Sequence, residues 1–143
     1  MIGEPWLTTD LKNPKNIRTR PSILVENSET RILVDSSPDL RAQLITAEVE
    51  RLDAVIYTHG HADHLHGIDD LRSVNRVIED WLPAYADRNT WDEIAARFGY
   101  VLEPLKNDTN FFYKPCLMRH DIAIGESFAI GDFTISVMDQ DHG

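Results

Sequence analysis

The sequence has little sulfur, little positive charge and no long apolar stretch. Cys116 is its one cysteine, which excludes an internal disulfide and a metal site built from thiolates. The 14 Lys and Arg residues face 24 Asp and Glu residues, and the formal net charge of -10 argues against non-specific binding to a nucleic-acid backbone. No apolar run approaches the roughly 20 residues of a membrane span, and Met1 to Asp10 lack the regions of a signal peptide. We therefore expect a cytoplasmic protein without a membrane partner.

What remains is an ordinary globular composition in which strand and helix patterns alternate. With 143 residues, 42% of them hydrophobic and 27% charged, the chain is long enough for one domain over 1–143. A hairpin is indicated by two β-rich runs at 22–26 and 30–35, and Thr90 with Glu93 matches a capping box before a helix from Trp91 to Phe98. The further expected elements are a helix over 40–47, a strand over 52–58, and an antiparallel pair of strands, 122–128 and 133–138, joined at Gly131-Asp132.

Four side chains that bind metals lie within six residues, in the stretch from His59 to His64. Imidazoles and a carboxylate at this density suit Zn, Mn or Fe rather than Ca or Mg. His59 and His61 project from the same side of an extended segment and can hold one ion, whereas Asp63 and His64 can reach a second. Two adjacent metals can share a hydroxide that attacks a substrate. An exposed His-rich loop is the alternative, and the strand directly upstream argues against it.

Two further residues are candidates for the same site. His142 follows the last predicted strand and is followed by glycine, so it could complete a three-nitrogen set with His59 and His61. Asp35 ends a predicted buried strand, where its carboxylate could orient a metal-binding histidine. The segment Ser36-Ser37-Pro38-Asp39 is expected to cap the next helix, and Gly67 to let the backbone pass close to the metals.

A basic cluster precedes the first strand. Lys12, Lys15, Arg18 and Arg20 lie within nine positions of an otherwise acidic chain. The segment either faces an anion near the site or is a solvated loop, and the residues do not decide between the two.

The motif His59-x-His61-x-Asp63-His64 resembles the signature of the metallo-β-lactamase fold superfamily. Its flanks are similar to the branch typified by phosphoribosyl 1,2-cyclic phosphate phosphodiesterase. These flanks are residues 14–25 (Pro-Lys-Asn-x-Arg-x-Arg-Pro-Ser-Ile-Leu-Val), residues 67–72 (Gly-Ile-Asp-Asp-Leu-Arg) and Asp141-His142-Gly143.

The resemblance implies an α+β fold, the αββα sandwich of that superfamily, of which this chain supplies roughly the first half. It also implies two divalent transition metals, Zn or Mn: His59, His61 and His142 would hold the first, and Asp63 and His64 the second. Family members begin with a glycine-rich strand and continue to a bridging aspartate and a distal histidine. We therefore expect a chain truncated at both ends, whose inner sheet face another copy could cover in a homo-oligomer.

The activity implied by the resemblance is that of a metal-dependent phosphodiesterase acting on a cyclic or small diester phosphate through a dinuclear metal-bound hydroxide. Asp63 would position the nucleophile, and the substrate would be a small phosphate ester or nucleotide-like molecule, nucleic acid being unlikely. Two alternatives stay open. One is a metallo-hydrolase of a thioester, lactone or lactam, and the other is a catalytically inactive, truncated metal-binding chain.

Overall fold

The computed structural model describes residues 9–10, 12–106 and 111–140, which form seven strands, four α-helices and three short 3-10 helices. The strands are β1 (Ile23–Glu26), β2 (Arg31–Val34), β3 (Ala54–Ile56), β4 (Leu82–Ala86), β5 (Leu117–Asp121), β6 (Ser127–Ile130) and β7 (Phe133–Ser136). The α-helices are α1 (Leu40–Thr46), α2 (Ala62–Leu65), α3 (Arg72–Ile78) and α4 (Arg88–Phe98). The 3-10 helices are Pro14–Asn16, Ile68–Leu71 and Gly99–Leu102. None of the helices described is long and apolar enough to cross a membrane.

Strands β1 to β5 form one sheet in the order in which they occur in the chain. β1 and β2 are the predicted hairpin and pair antiparallel, whereas β2, β3, β4 and β5 run parallel. Each parallel connection passes through at least one helix, as parallel strands require. The carboxyl ends of β2 and β3 therefore lie side by side, with Val34 opposite Ile56. This edge of the sheet is where loops can build a site.

The helices cover one face of this sheet and enclose the main core. Leu33, Val55 and Leu117 from three strands are buried there with Leu65 of α2 and Trp91 of α4. All five side chains are at most 3% exposed. Burying a side chain of this size contributes roughly 1.5–3 kcal/mol, so the core holds α2, and the histidine loop before it, against the sheet.

The opposite face of the sheet is partly covered by the β6–β7 hairpin. Ile130 of this hairpin is buried with Ile32 and Ala54 of the sheet. The inner sheet face was expected to lack a covering layer within this chain. That expectation is wrong for the middle of the face, because apolar residues of the hairpin pack there. Ile23 and Met118, near the two edges of this face, are 59% and 44% exposed, and a homo-oligomer that covers them stays a prediction.

The α+β fold class is confirmed, but several local expectations are corrected. The helix expected from Trp91 begins at Arg88, and Asp87 rather than Thr90 is its N-cap: the Asp87 carboxylate accepts the Thr90 N–H over 2.8 Å. Thr90 is 4% exposed. The capping-box pattern failed because an aspartate three residues earlier competes for the same role.

The expected cap of α1 is also only partly formed. Asp39 occupies the N-cap position without a side-chain cap. Its carboxylate accepts the backbone N–H of Arg20 over 2.8 Å and pairs with the Arg20 guanidinium at 3.1 Å. The Ser37 hydroxyl accepts the Asp39 N–H over 3.2 Å. One member of the basic cluster is therefore a structural partner of α1.

The sequence patterns missed β5 and extended the strand before Gly131 too far. His120 lies inside β5, where its ring stacks on Tyr85 with centroids 4.6 Å apart. Residues 122–126 form a connection with Gly125 at φ +83°, so the predicted strand at 122–128 begins only at Ser127. The hairpin between β6 and β7 is confirmed.

Candidate metal centre

The histidine motif leaves the sheet directly beside the loop that contains Asp35. Asp35 follows β2, and its N–H donates to the Ile56 carbonyl of β3 over 2.8 Å. Residues 57–61 then turn into α2, which begins at Ala62. Parallel pairing of the two strands thus places Asp35 next to a motif more than twenty positions later in the chain.

Asp35 is buried and accepts hydrogen bonds from Thr58 and His64. It is 4% exposed and adopts a left-handed backbone conformation with φ +62°, which aspartate tolerates better than most residues. Its Oδ1 accepts the Thr58 N–H over 2.8 Å, and its Oδ2 accepts from the Thr58 hydroxyl over 2.8 Å and from His64 Nδ1 over 2.7 Å. Asp35 therefore orients His64, as a carboxylate behind a metal ligand does.

The Thr58 hydroxyl links Asp35 to His59 by hydrogen bonds. Its Oγ1 lies 2.9 Å from His59 Nδ1. The Thr58 hydroxyl donates to a carboxylate, which only accepts, so the bond from His59 Nδ1–H is the one that the Thr58 oxygen can receive. The same argument assigns a proton to Nδ1 of His64. In the neutral form of both rings the proton therefore lies on Nδ1, and Nε2 is the nitrogen that can bind a metal.

The three histidine rings of the motif lie together. The ring centroid of His59 is 4.5 Å from that of His61 and 4.1 Å from that of His64. Asp63 Oδ2 is 3.6 Å from His64 Nε2, and the Asp63 side chain is 52% exposed. The structure thus brings together four of the predicted ligands and the orienting aspartate, and their roles toward a metal stay predictions.

These residues fit a metal by donor type, and His59 and His64 also by the nitrogen that each ring presents, but they do not form a closed shell. Within the described part of the chain, no three His, Cys, Asp or Glu side chains are arranged to hold a metal ion. His142, the predicted third nitrogen ligand of the first metal, lies outside the described residues. The described side chains are therefore one side of a candidate metal centre.

A buried network of hydrogen bonds connects the segments that carry this loop. The Ser36 hydroxyl lies 3.0 Å from the Tyr57 hydroxyl and donates to the Leu65 carbonyl over 3.1 Å. Burial raises the pKa of Tyr57 well above its usual value, so the phenol stays neutral and can share a proton in the network. The network joins the strand ends to α2.

Gly67 has a different role from the one expected. A Cβ at this position would overlap the backbone carbonyl of Ser37, and the Gly67 N–H donates to the Ser36 carbonyl over 2.9 Å. The close approach is thus to the loop after β2 rather than to the metals. It is needed because the two loops that make the site pack backbone against backbone.

Two polar residues after the motif, His66 and Asp69, have partners at or just after the end of α4. His66 Nε2 accepts from the Arg97 guanidinium over 3.2 Å, and the His66 ring meets Phe98 edge-on at 5.5 Å. Asp69 accepts from the Tyr100 hydroxyl over 2.6 Å. Both contacts tie this turn to the end of α4, which agrees with leaving His66 out of the predicted metal ligands.

Thr58 is the residue of this site that pattern reasoning did not identify. Its position between a buried strand and the first histidine was the available signal, because a hydroxyl there can reach the backbone and side chains of a neighbouring strand end. Its role became visible only with Asp35 beside it.

A family model described as a beta-lactamase superfamily domain matches residues 30–143. The chain belongs to this superfamily. The resemblance drawn from the histidine motif is thereby confirmed. A solved structure, a diphosphatase of the PhnP family, superposes with a TM-score of 0.71 at 28% identity, over 85% of this chain and 44% of that protein. The metallo-β-lactamase fold and its PhnP-like branch are therefore supported by structure as well as by sequence.

Two curated proteins are similar to parts of this chain in sequence. A protein of Porphyromonas gingivalis named octanoyltransferase is 37% identical over 127 residues, which are 88% of this chain and 25% of that protein. A ribonuclease Z of Bradyrhizobium is 39% identical over 74 residues, which are 50% of this chain and 25% of that protein. The chain thus spans about a quarter of these curated relatives.

Proposed function

We propose that this chain contributes the first metal-binding loop of a metal-dependent hydrolase, and that the reaction is hydrolysis of a cyclic or small diester phosphate. The observation that carries the proposal is the hydrogen-bonded chain from Asp35 to His64 and, through Thr58, to His59. A buried carboxylate that orients two imidazoles is typical of a metal site. An exposed His-rich loop, the alternative to a metal site, would not need one.

The residues of the motif divide between two divalent transition metals, Zn or Mn. His59 and His61 would hold the first together with His142, and Asp63 and His64 would hold the second. Such a pair supplies a water of lowered pKa and positive charge to balance the oxygens of a phosphate. The formal net charge of -10 makes that local positive charge necessary for an anionic substrate.

The chain's own groups have separate tasks around the metals. Asp35 and Thr58 hold the rings of His64 and His59 in place. Asp63 is half exposed at the start of α2 and lies next to His64, and we expect its carboxylate to orient an attacking water and to accept its proton. No described residue is assigned to protonate the leaving oxygen.

The substrate class rests on the PhnP-family diphosphatase, whose 28% identity spans most of this chain. Because ribonuclease Z also shares half of the chain, an RNA phosphodiester is a second candidate within the same chemistry. An acyl substrate such as a thioester, lactone or lactam is the competing class, since the same nucleophile serves it.

The first test is metal binding. The purified chain is titrated with Zn²⁺ and Mn²⁺ after chelator treatment, and bound metal is measured by elemental analysis. His61→Ala is expected to lose binding at the first site, because it removes one of that site's nitrogen ligands. His120→Ala is the matched control, since His120 lies in β5 against Tyr85 rather than in the motif. Equal metal content in the two variants would contradict the proposal.

The second test is a substrate panel on the metal-loaded chain. We expect turnover of bis-p-nitrophenyl phosphate that is abolished by chelator and by His61→Ala, with less turnover of p-nitrophenyl acetate and of a chromogenic lactam. Faster acyl hydrolysis that needs the same histidine would assign the acyl class instead. Cleavage of a short RNA, but not of the small diester, would favour the ribonuclease candidate.

A further inference from the structure

A second set of contacts holds the histidine loop from α4. Arg97, in the last turn of α4, donates through Nη2 to the carbonyl of Gly60, the residue between the first two histidines. Its Nη1 lies 3.2 Å from His66 Nε2, just after α2. One guanidinium thus contacts the second residue of the motif and a histidine two residues after its end.

Glu93 keeps this guanidinium in position. It lies one turn earlier on α4 and forms an ion pair with Arg97 Nη2. The side chains of Arg97 and Glu93 are 34% and 53% exposed, so the pair by itself contributes little stability. The planar guanidinium of arginine can donate hydrogen bonds to a carboxylate, a carbonyl and an imidazole at once. A lysine ammonium cannot do so with the same geometry.

Gly60 is fitted to this arrangement. A Cβ at Gly60 would overlap the Glu93 carboxylate and come within 2.9 Å of Arg97 Nη2. A side chain at residue 60 would therefore have to displace these two side-chain ends, and glycine leaves them in contact with the main chain between His59 and His61.

We propose that Arg97 is a positioning residue of the metal centre, which fixes the turn between His59 and His61 through the Gly60 carbonyl while Asp35 and Thr58 fix the rings. The inference rests on the proposed metal-binding function. Without Arg97 the loop samples more conformations before the metal binds, and the lost preorganisation appears as weaker metal affinity.

The test compares Arg97→Met, which keeps an apolar stem but no donors, with Arg97→Lys and with Arg41→Met as the matched control. Arg41 is exposed on α1. Zn²⁺ affinity is measured by competition with a chromophoric chelator. We expect roughly ten- to hundredfold weaker binding for Arg97→Met, partial recovery in Arg97→Lys, and wild-type affinity for Arg41→Met. Affinity of Arg97→Met within twofold of wild type overturns the proposal.

A second readout does not depend on metal. Hydrogen exchange of the backbone amides at 59–61 is measured on the metal-free variants, with denaturation midpoints as the folding control. We expect at least tenfold faster exchange at 59–61 in Arg97→Met than in Arg41→Met, and unchanged exchange in β3. Unchanged exchange at 59–61 overturns the inference. If Arg97→Met does not fold, Arg97→Lys is judged by the same two measurements: unchanged exchange together with unchanged affinity overturns the inference.

The outcome for the proposed function is separate. If the wild-type chain itself binds no Zn²⁺ or Mn²⁺, the metal-dependent function fails, and the role inferred for Arg97 in a metal centre fails with it. The exchange data then show only whether Arg97 holds the loop. If wild type binds metal and Arg97→Met binds it equally well, only the inference about Arg97 fails.

Discussion

His64 Nδ1 donates to Asp35 Oδ2 over 2.7 Å, across a gap of twenty-nine positions in the chain. This bond joins the end of β2 to α2, the helix that follows β3. It selects the His64 tautomer whose Nε2 points away from Asp35, and the buried carboxylate holds the ring in one orientation.

Replacement of Asp35 by Asn should therefore weaken metal binding. An amide offers one oxygen to the three donors that Asp35 now accepts, two from Thr58 and one from His64, so at least one bond is lost. Asn tolerates the left-handed backbone at this position, and the fold should persist. We expect roughly ten- to hundredfold weaker Zn²⁺ binding by competition titration. Asp39→Asn, which loses a carboxylate that pairs with Arg20 rather than with a histidine, should bind Zn²⁺ like wild type; equal affinities for both variants would contradict the assignment.

Thr58 should control the tautomer of His59. Thr58→Val keeps the shape of the side chain but removes the hydroxyl that accepts from His59 Nδ1–H. We expect nitrogen NMR of the metal-free variant to show His59 redistributed between its two neutral tautomers, and Zn²⁺ affinity to fall by roughly tenfold. Thr58→Ser retains the hydroxyl and should behave like wild type. An unaltered His59 tautomer in the Val variant would show that Thr58 does not set it.

The contact between Asp39 and Arg20 should make stability depend on pH. The Arg20 backbone N–H, together with its guanidinium, holds the pKa of Asp39 below its usual value. A lowered folded-state pKa means that the contribution is present above the unfolded value of about 4 and is lost as the pH falls through the folded-state pKa. Asp39→Asn should be less stable by about 1 kcal/mol or less at pH 7, as measured by urea denaturation. The difference should shrink as the pH falls below about 4, and a difference that grows with acidity would refute the argument.

The two loops of the site should tolerate no side chain at Gly67. A Cβ there would overlap the Ser37 backbone, and accommodating it should cost about 1–3 kcal/mol in the free energy of unfolding. Gly99→Ala is the matched control, because Gly99 has a helical backbone at φ -48° and no heavy atom within 4 Å of the added carbon. We expect this control to be neutral or slightly stabilising. Similar denaturation midpoints for the two variants would count against the close packing of these loops.

Pattern reasoning located the elements that carry strong local signals. The hairpin of β1 and β2, the helix from Leu40 and the strand before His59 were all expected close to where they occur. Alternating apolar residues and turn-forming segments have the same physical meaning in most folds. β5 was missed because its residues, Leu117 to Asp121, show no clear alternation and only one of them is buried.

The sequence by itself determined the candidate donor set of the site, because four side chains of types that bind metals lie within six residues and need no folded partner to be recognised. Only the tertiary structure decided how they are held. Asp35 and Arg97 contact the motif from positions 29 and 37 residues away from the groups that they bind. Parallel pairing of β2 with β3 and packing of α4 on the sheet create both contacts. Spacing along a chain specifies which side chains are near each other within one loop, whereas bonds between loops depend on how the whole core packs.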